Sequence, residues 1–400
     1  MMHFDESIQM IENLEISNYR VKELPLMQAQ GYVLAMDVIA DHNSPEFPTS
    51  AMDGYALLFE DMAMGRLKIA SINPAGSALQ DEVIGGTCIK TFTGSLMPHG
   101  ADTLIPIENV VVEGDEIVIK EEVPQGFSVR AVGENYTEDQ LLIPKGTKID
   151  FSQIGVMASL NIAHVTVYEK PIVAILSTGS ELLSLGEEQT NDAQIRSSNN
   201  YILEAIVQKY DGVPLQLGCI KDDKESITKE ISSALEKANI VVTTGGVSVG
   251  DFDFVKDVIH ELGCDVIFKG VRIKPGQHIM VARKEDKFII GLPGFAYSST
   301  VTALLYVVPL IEKLQKGQCS LHKVKAKLKE SFTKRAKKAE FTACNISLLQ
   351  GEYYVDFQGK KVGTSAILTN MLGSVALLVT SEEDTSKEVG DEVDVLLFSS

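Results

Sequence analysis

Between residues 170 and 317, short apolar runs that end in glycine and hydroxyl residues alternate with stretches of helical spacing. Ile172–Leu176 is continuously apolar and ends in Ser177-Thr178-Gly179, and Ile240–Val242 likewise enters Thr243-Thr244-Gly245-Gly246. Between them lie the helix-like Asn200–Tyr210, stopped at Gly212, and the strand-like Leu215–Ile220. Ile227, Ile231 and Leu235 then recur at helical spacing, as do Phe254, Val255, Val258, Ile259 and Leu262 before Gly263. Apolar runs too short for a helix, separated by helical stripes, predict a parallel α/β sheet.

The flanks have a different texture. Ile8, Ile11 and Leu14 predict a helix within residues 1–37, with a second short segment beginning at Pro25. From Val38 to about Arg130, β-rich runs such as Thr87–Phe92, Thr103–Ile107 and Glu116–Ile119 stand between Gly, Pro and Asn breakers. That spacing predicts a small, mostly β domain. A glycine-containing connection leads to Phe151–Leu160, apolar enough for a helix. Beyond residue 318, Lys323, Lys325, Lys327 and Lys329 alternate with Val324, Ala326 and Leu328, a period-two strand with a solvated basic face that opens a second β-rich domain.

Composition narrows the function. A chain of 400 residues is too long for one ordinary core. Its net charge of −19 argues against nucleic acid and anionic membranes, because phosphate neutralisation needs a surplus of Lys and Arg. An anionic ligand must therefore be met locally, by a few lysines, backbone N–H groups and helix N-termini. The five cysteines and seven histidines are scattered, which gives no structural zinc spacing and fits a reducing compartment. No basic-then-apolar leader opens the sequence. The longest apolar stretch, Val301–Ile311, is broken by Thr302, Tyr306 and Pro309 and is shorter than the ~20 residues of a membrane span. A soluble, cytoplasmic protein is expected.

Ligands of a parallel sheet bind beyond the carboxyl ends of its strands, where the strand order switches. The sequences falling there are Thr178-Gly179-Ser180-Glu181, Asp222-Asp223, Gly245-Gly246-Val247-Ser248-Val249-Gly250-Asp251-Phe252-Asp253, Lys274-Pro275-Gly276 and Leu292-Pro293-Gly294. Glycines admit phosphate oxygens to backbone N–H groups, and Ser248 and Ser298 add hydroxyl donors. Glu181, Asp222, Asp251 and Asp253 suit Mg²⁺, and Lys274 supplies compact positive charge. Plainer readings exist for each: Asp222 and Asp253 precede helices, where Asp is a routine N-cap, and the glycine pairs suit ordinary turns. Neither a dinucleotide fingerprint nor a P-loop is present. Two loops of the first β-rich region also stand out, Ser44–Ala56 with its Asp53-Gly54 turn and Thr93–Asp102. Spacing alone reaches an α/β domain with an anion-binding rim.

Five motifs in order carry a resemblance: S-A-M-D-G-Y-A at 50–56, T-G-x-x-x-P-x-G-A-D at 93–102, S-T-G-x-E-L at 177–182, G-G-V-S-V-G-D-x-D at 245–253 and K-P-G at 274–276. The chain resembles, over essentially its whole length, the MoeA/gephyrin family of molybdenum-cofactor insertion enzymes. The resemblance implies a multidomain α/β plus β fold. Residues 1–37 and 135–168 would pair as a discontinuous linker and dimerisation domain, with 38–134 inserted as a mostly β domain. Residues 169–317 would be a MogA-like molybdopterin-binding domain and 318–400 a C-terminal β domain. It also implies a homodimer in which the Asp53 and Thr93 loops of one chain face the other's rim. The implied reaction inserts molybdate into adenylylated molybdopterin with Mg²⁺ and release of AMP, and molybdopterin adenylyltransferase becomes the expected upstream partner. Asp53, Thr93, Glu181, Asp222 and Asp253 are then the expected catalytic residues, with Glu181, Asp222, Asp251 and Asp253 on the metal. Thr178, Gly179, Gly245, Gly246, Ser248, Gly250, Lys274, Pro275, Gly276, Pro293, Gly294 and Ser298 are expected to hold the pterin.

The sequence departs from the family pattern in several places. K-P-G-K-P becomes Lys274-Pro275-Gly276-Gln277-His278, with one positive charge lost; P-G-N-P-x-S becomes Pro293-Gly294-Phe295-Ala296-Tyr297-Ser298; T-G-D-E becomes Thr178-Gly179-Ser180-Glu181. An Arg that often follows a Phe-Leu pair is missing at Phe341-Thr342-Ala343, and Arg272 and Arg283 are candidates to replace it. Two other functions stay open on this basis: a non-catalytic molybdopterin carrier or scaffold on the same fold, and the neighbouring adenylylation step.

Overall fold

The computed structural model describes residues 1–77, 81–246, 254–319, 321–364 and 366–398. Two units emerge: Met1–Ala35, Gly146–Phe151 and His164–Ser400 in one, Met36–Lys145 and Ser152–Ala163 in the other.

The first unit is organised by a six-stranded sheet. Its strands are β1 (Ile172–Thr178), β2 (Val213–Ile220), β3 (Ile240–Thr244), β4 (Asp265–Lys269), β5 (Met280–Lys284) and β6 (Lys287–Leu292), in the order β2-β1-β3-β6-β5-β4. The first four of that order run parallel. β5 is antiparallel to both its neighbours. β1 has β2 on one side and β3 on the other, so the switch in strand order falls at the end of β1. Val173 and Ile175 pack into one core, with Leu203, Val207, Val301 and Leu304. Ala174 and Leu176 pack into the other, with Ile227, Ile231, Val255 and Val258. Both faces are covered, which is why β1 reads as an unbroken apolar run.

Helix Lys224–Lys237 is capped by Asp223, whose side chain accepts from the Ser226 N–H at 2.8 Å. Of the two aspartates at that strand end, the N-cap is Asp223. Helix Ala296–Thr302 passes through a π-turn, Ala303–Val307, into Val308–Leu314. Pro309 has no N–H to give the preceding turn and crowds its carbonyl, and the widened turn accommodates this. Most of this apolar stretch is buried in the core, and among the described residues no helix is long and apolar enough to cross a membrane.

Helix Phe4–Glu12 forms as its apolar spacing predicts, with the Ser7 hydroxyl 2.7 Å from the Tyr306 hydroxyl. The short segment predicted from Pro25 is the 3-10 helix Leu26–Gln28, with Pro25 at its N-cap, and Val21–Pro25 before it is a strand paired with His164–Tyr168. Its partner lies far along the chain, out of reach of local pattern. At the other end, Ala339–Leu349 pairs with both Glu352–Asp356 and Val375–Thr380, while His322–Leu328 and Glu392–Leu397 complete the circuit into a closed barrel. Ile273–Lys274 adds to it, parallel to Ala339–Glu340.

The second unit holds a six-stranded mixed sheet in the order Thr103–Pro106, Gly54–Leu57, Thr87–Thr91, Arg66–Asn73, Glu116–Ile119, Val110–Glu113. Tyr55, Leu57, Leu67, Cys88, Ile105 and Ile117 form its core.

Candidate active site at the strand ends

The ends of β1, β3 and β6 converge because their glycines let backbone approach backbone. Gly245 has φ +87°, and a Cβ there would stand 2.9 Å from the Thr178 carbonyl oxygen and 3.0 Å from its Oγ1. At Gly246, φ +69°, a Cβ would meet Val255 Cγ2 at 2.7 Å. The Gly245 N–H donates to the Leu292 carbonyl at 3.1 Å, and the Gly179 N–H to the Ile220 carbonyl at 3.2 Å. Thr178, Gly179, Gly245, Gly246, Pro293 and Gly294 are thus brought to one rim. Glu181 folds its carboxylate back over Gly179, with both oxygens within 2.9 Å of where a Cβ would stand. Asp222 follows the neighbouring strand β2. Ser298 is buried, in the helix that follows Gly294. Ser248, Gly250, Asp251 and Asp253 lie outside the described residues.

Beneath the rim is a polar layer that the sequence reading passed over. The Ser177 hydroxyl donates to Asn200 Oδ1 at 2.6 Å and stands 2.7 Å from Thr244 Oγ1. Asn199 Nδ2 donates to the Gly294 carbonyl at 2.8 Å. Three buried oxygens here, Thr178 Oγ1, Ser197 Oγ and Asn199 Oδ1, have no partner among the described residues. Buried polar atoms are nearly always satisfied, so this cluster marks a place for a polar ligand. The signal in the sequence was Ser197-Ser198-Asn199-Asn200, four capping-type residues where a helix needs one.

Lys274-Pro275-Gly276 points elsewhere, into a cleft against the C-terminal barrel. Gly276, φ +98°, leaves no room for a Cβ, which would lie 2.1 Å from Thr302 Cγ2. The cleft is lined by Lys274, Pro275, Tyr297, Thr342, Lys361 and Gly363 among others. Glu340, 4 % exposed, also lines it, and its Oε1 lies 3.7 Å from Lys274 Nζ. Tyr297 closes one wall: its hydroxyl donates to the Phe341 carbonyl at 3.1 Å and accepts from the Ala343 N–H at 2.9 Å. Burial raises that phenol's pKa. Lys338 donates its ammonium to Gln277 Oε1. Neither arginine considered from sequence is available: Arg272 pairs with Glu382 at 2.8 Å, and Arg283 with Asp286 at 3.0 Å.

In the second unit Asp53 and Thr93 do meet. Asp53 Oδ1 accepts from the Thr93 N–H and from its hydroxyl, each at 2.8 Å. The Thr93 backbone N–H first, then its hydroxyl and the charge of Lys90, hold the Asp53 carboxyl below the usual range. Among the described residues no three His, Cys, Asp or Glu side chains form a metal cluster.

A switch-point rim with hydrogen-bonding oxygens that have no partner among the described residues, and a lysine-lined cleft in the same unit, define an α/β protein with sites suited to an anionic polar small molecule. Comparison with known proteins makes this specific. Residues 2–161 match the model of the MoeA N-terminal region (domain I and II), 174–313 that of the probable molybdopterin binding domain, and 325–398 that of the MoeA C-terminal region (domain IV). Molybdopterin molybdenumtransferase of Haemophilus influenzae is 30% identical over 399 residues, covering 98% of this chain and 97% of that one. Its namesake from Nostoc is 31% identical over 383 residues, covering 93% and 87%. The crystal structure of a Pyrococcus horikoshii molybdopterin biosynthesis moeA protein covers both chains completely, at 28% identity and a TM-score of 0.84. The chain belongs to the molybdopterin molybdenumtransferase family and is an enzyme of molybdenum cofactor biosynthesis.

Proposed function

We propose that this enzyme inserts molybdate into adenylylated molybdopterin, releasing AMP, as a Mg²⁺-dependent cytoplasmic homodimer. The observation that carries the reading is the presence of two chemically different sites in the unit built on the α/β sheet. Vacant buried oxygens at Thr178, Ser197 and Asn199 suit the hydrogen-bonding groups of a pterin nucleotide. The cleft against the C-terminal barrel is lined by Lys274 and Lys361 and suits an oxyanion. All the reactants are anions, so bringing them together needs fixed positive charge and oriented N–H groups.

Glu181 and Asp222, at the ends of neighbouring strands, are hard oxygen donors of the kind Mg²⁺ takes, and Asp251 and Asp253 complete the proposed set. Bound there, Mg²⁺ offsets the charge of phosphate oxygens. Asp53, kept ionised by Thr93, is assigned to orienting the substrate. Molybdopterin adenylyltransferase is the expected supplier of that substrate.

Purified protein is incubated with adenylylated molybdopterin, molybdate and Mg²⁺, and AMP is followed. Molybdate-dependent AMP release is expected. Asp53→Asn and Glu181→Gln are expected to cut the rate with unchanged melting temperature. AMP release indifferent to molybdate would defeat the reading.

A further inference from the structure

The cleft poses a chemical question. Its family resemblance implies an arginine after Phe341, but Thr342 and Ala343 stand there, and Arg272 and Arg283 are engaged by carboxylates. We infer that Arg335 is the guanidinium that grips the tetrahedral oxyanion in this chain, an inference that rests on the proposed molybdate chemistry.

Arg335 is placed for the task by the residue beneath it. Its guanidinium lies on Gly363, a residue of the cleft wall with φ +91°. A Cβ at Gly363 would stand 2.5 Å from Nη1 and 2.7 Å from Cζ. Only glycine provides both that backbone conformation and that seat. The backbone is fixed as well: Glu340 Oε1 accepts from the Arg335 N–H at 3.2 Å and the Ala336 N–H at 2.6 Å. The same oxygen is the one facing Lys274. One buried carboxylate therefore faces the Lys274 ammonium of the cleft and anchors the backbone of Arg335, whose guanidinium rests on the wall residue Gly363.

Most cations nearby are already engaged. Lys338 is on Gln277, Lys360 on the carbonyls of Asn370 and Leu372, and Lys334 on the Glu382 carbonyl. The Arg335 guanidinium and the Lys361 ammonium have no hydrogen bond or ion pair among the described residues. Against Glu340, the carboxylate in the cleft lining, Lys274 and Lys361 of the lining and Arg335 on the wall residue Gly363 leave a surplus of positive charge. Of these three, only arginine offers a planar fork that bonds two oxygens of a tetrahedral anion at once.

The test measures molybdate binding to the purified protein by calorimetry, alongside the molybdate concentration that half-saturates AMP release. Arg335→Met is expected to weaken both about tenfold, the loss of one charge-assisted pair, with Arg335→Lys intermediate. Half-saturation by the pterin substrate is expected to move far less. Arg283→Met removes the same charge from a residue outside the cleft and is expected to leave molybdate binding as it was. Arg335 is exposed, so its variants are expected to melt with wild type. Equal molybdate affinity in wild type and Arg335→Met, or molybdate binding by neither, overturns the inference. Wild-type AMP release without molybdate dependence would instead overturn the proposed reaction, while the calorimetric comparison still judges Arg335.

Discussion

Gly245→Ala tests whether the rim is built by close backbone approach. Two penalties combine at this position. At φ +87° an alanine pays about 1–2 kcal/mol for left-handed backbone. Its Cβ would also stand 2.9 Å from the Thr178 carbonyl oxygen, a main-chain atom of a central strand that cannot swing aside. Overpacking of this kind costs about 1–3 kcal/mol. Gly263→Ala isolates the first term: it has φ +67° and nothing within 4 Å of its Cβ, so it carries the backbone penalty alone. Calorimetric melting of the three proteins is the assay. At roughly 2–4 °C per kcal/mol for a cooperative unit of 150–250 residues, Gly245→Ala is expected to melt several degrees below Gly263→Ala. It is also expected to bind the pterin nucleotide more weakly, because relief of the clash moves Thr178. Equal melting temperatures for the two variants would refute the close-approach account of the rim.

Further outcomes follow from the same geometry. Ser177→Ala leaves Asn200 Oδ1 and Thr244 Oγ1 without their shared buried partner, and a loss of about 1–3 kcal/mol is expected in denaturant unfolding; no loss would remove the polar layer from the account. Tyr297→Phe strands the Ala343 N–H inside the wall of the cleft, so a similar destabilisation is expected together with weaker saturation by molybdate; loss of stability with unchanged molybdate saturation would separate Tyr297 from the oxyanion site. For Asp53, the hydrogen bonds from Thr93 favour the ionised form, so their contribution is present above the ordinary carboxylate range and fades as pH falls through the depressed folded value. Thr93→Val removes one donor and is expected to raise the Asp53 pKa in a carboxyl NMR titration; an unmoved titration would show that the hydroxyl does not hold it.

The strands and helices around the rim were legible because burial on both faces gives β1 and β3 continuous apolar runs, and glycine punctuates their ends. The Thr93–Asp53 pair was reachable only through the resemblance, since nothing local links residues 40 positions apart. The strand Val21–Pro25 gave no local signal for the same reason: its strand character is conferred by His164–Tyr168. The capping of helix Lys224–Lys237 went to Asp223 and not to Asp222, for which a cap was the plainer reading, a distinction that depends on where the backbone leaves the strand. Arg335, Gly363 and Glu340 gave no signal at all, because each is unremarkable alone and acquires meaning only when the barrel strand Ala339–Leu349 pairs with Ile273–Lys274.

That pairing also changes how the departures from the family pattern are read. In sequence, Gln277, Tyr297 and Phe341-Thr342-Ala343 are separate losses. In the structure Tyr297 bonds the Phe341 and Ala343 backbone, and Gln277 accepts from Lys338, so each departure is met by a residue of the barrel. Compensation makes a specific demand: restoring lysine at position 277 alone must be harmful. Gln277→Lys sets an ammonium against that of Lys338, and two like charges ~4 Å apart near a surface repel by about 1–4 kcal/mol. Molybdate half-saturation and melting temperature are expected to worsen in Gln277→Lys and to recover in Gln277→Lys/Lys338→Gln, which returns the charge to one per pair. If the single substitution improves molybdate use and the double adds nothing, Lys338 is a bystander, and the departures are losses after all.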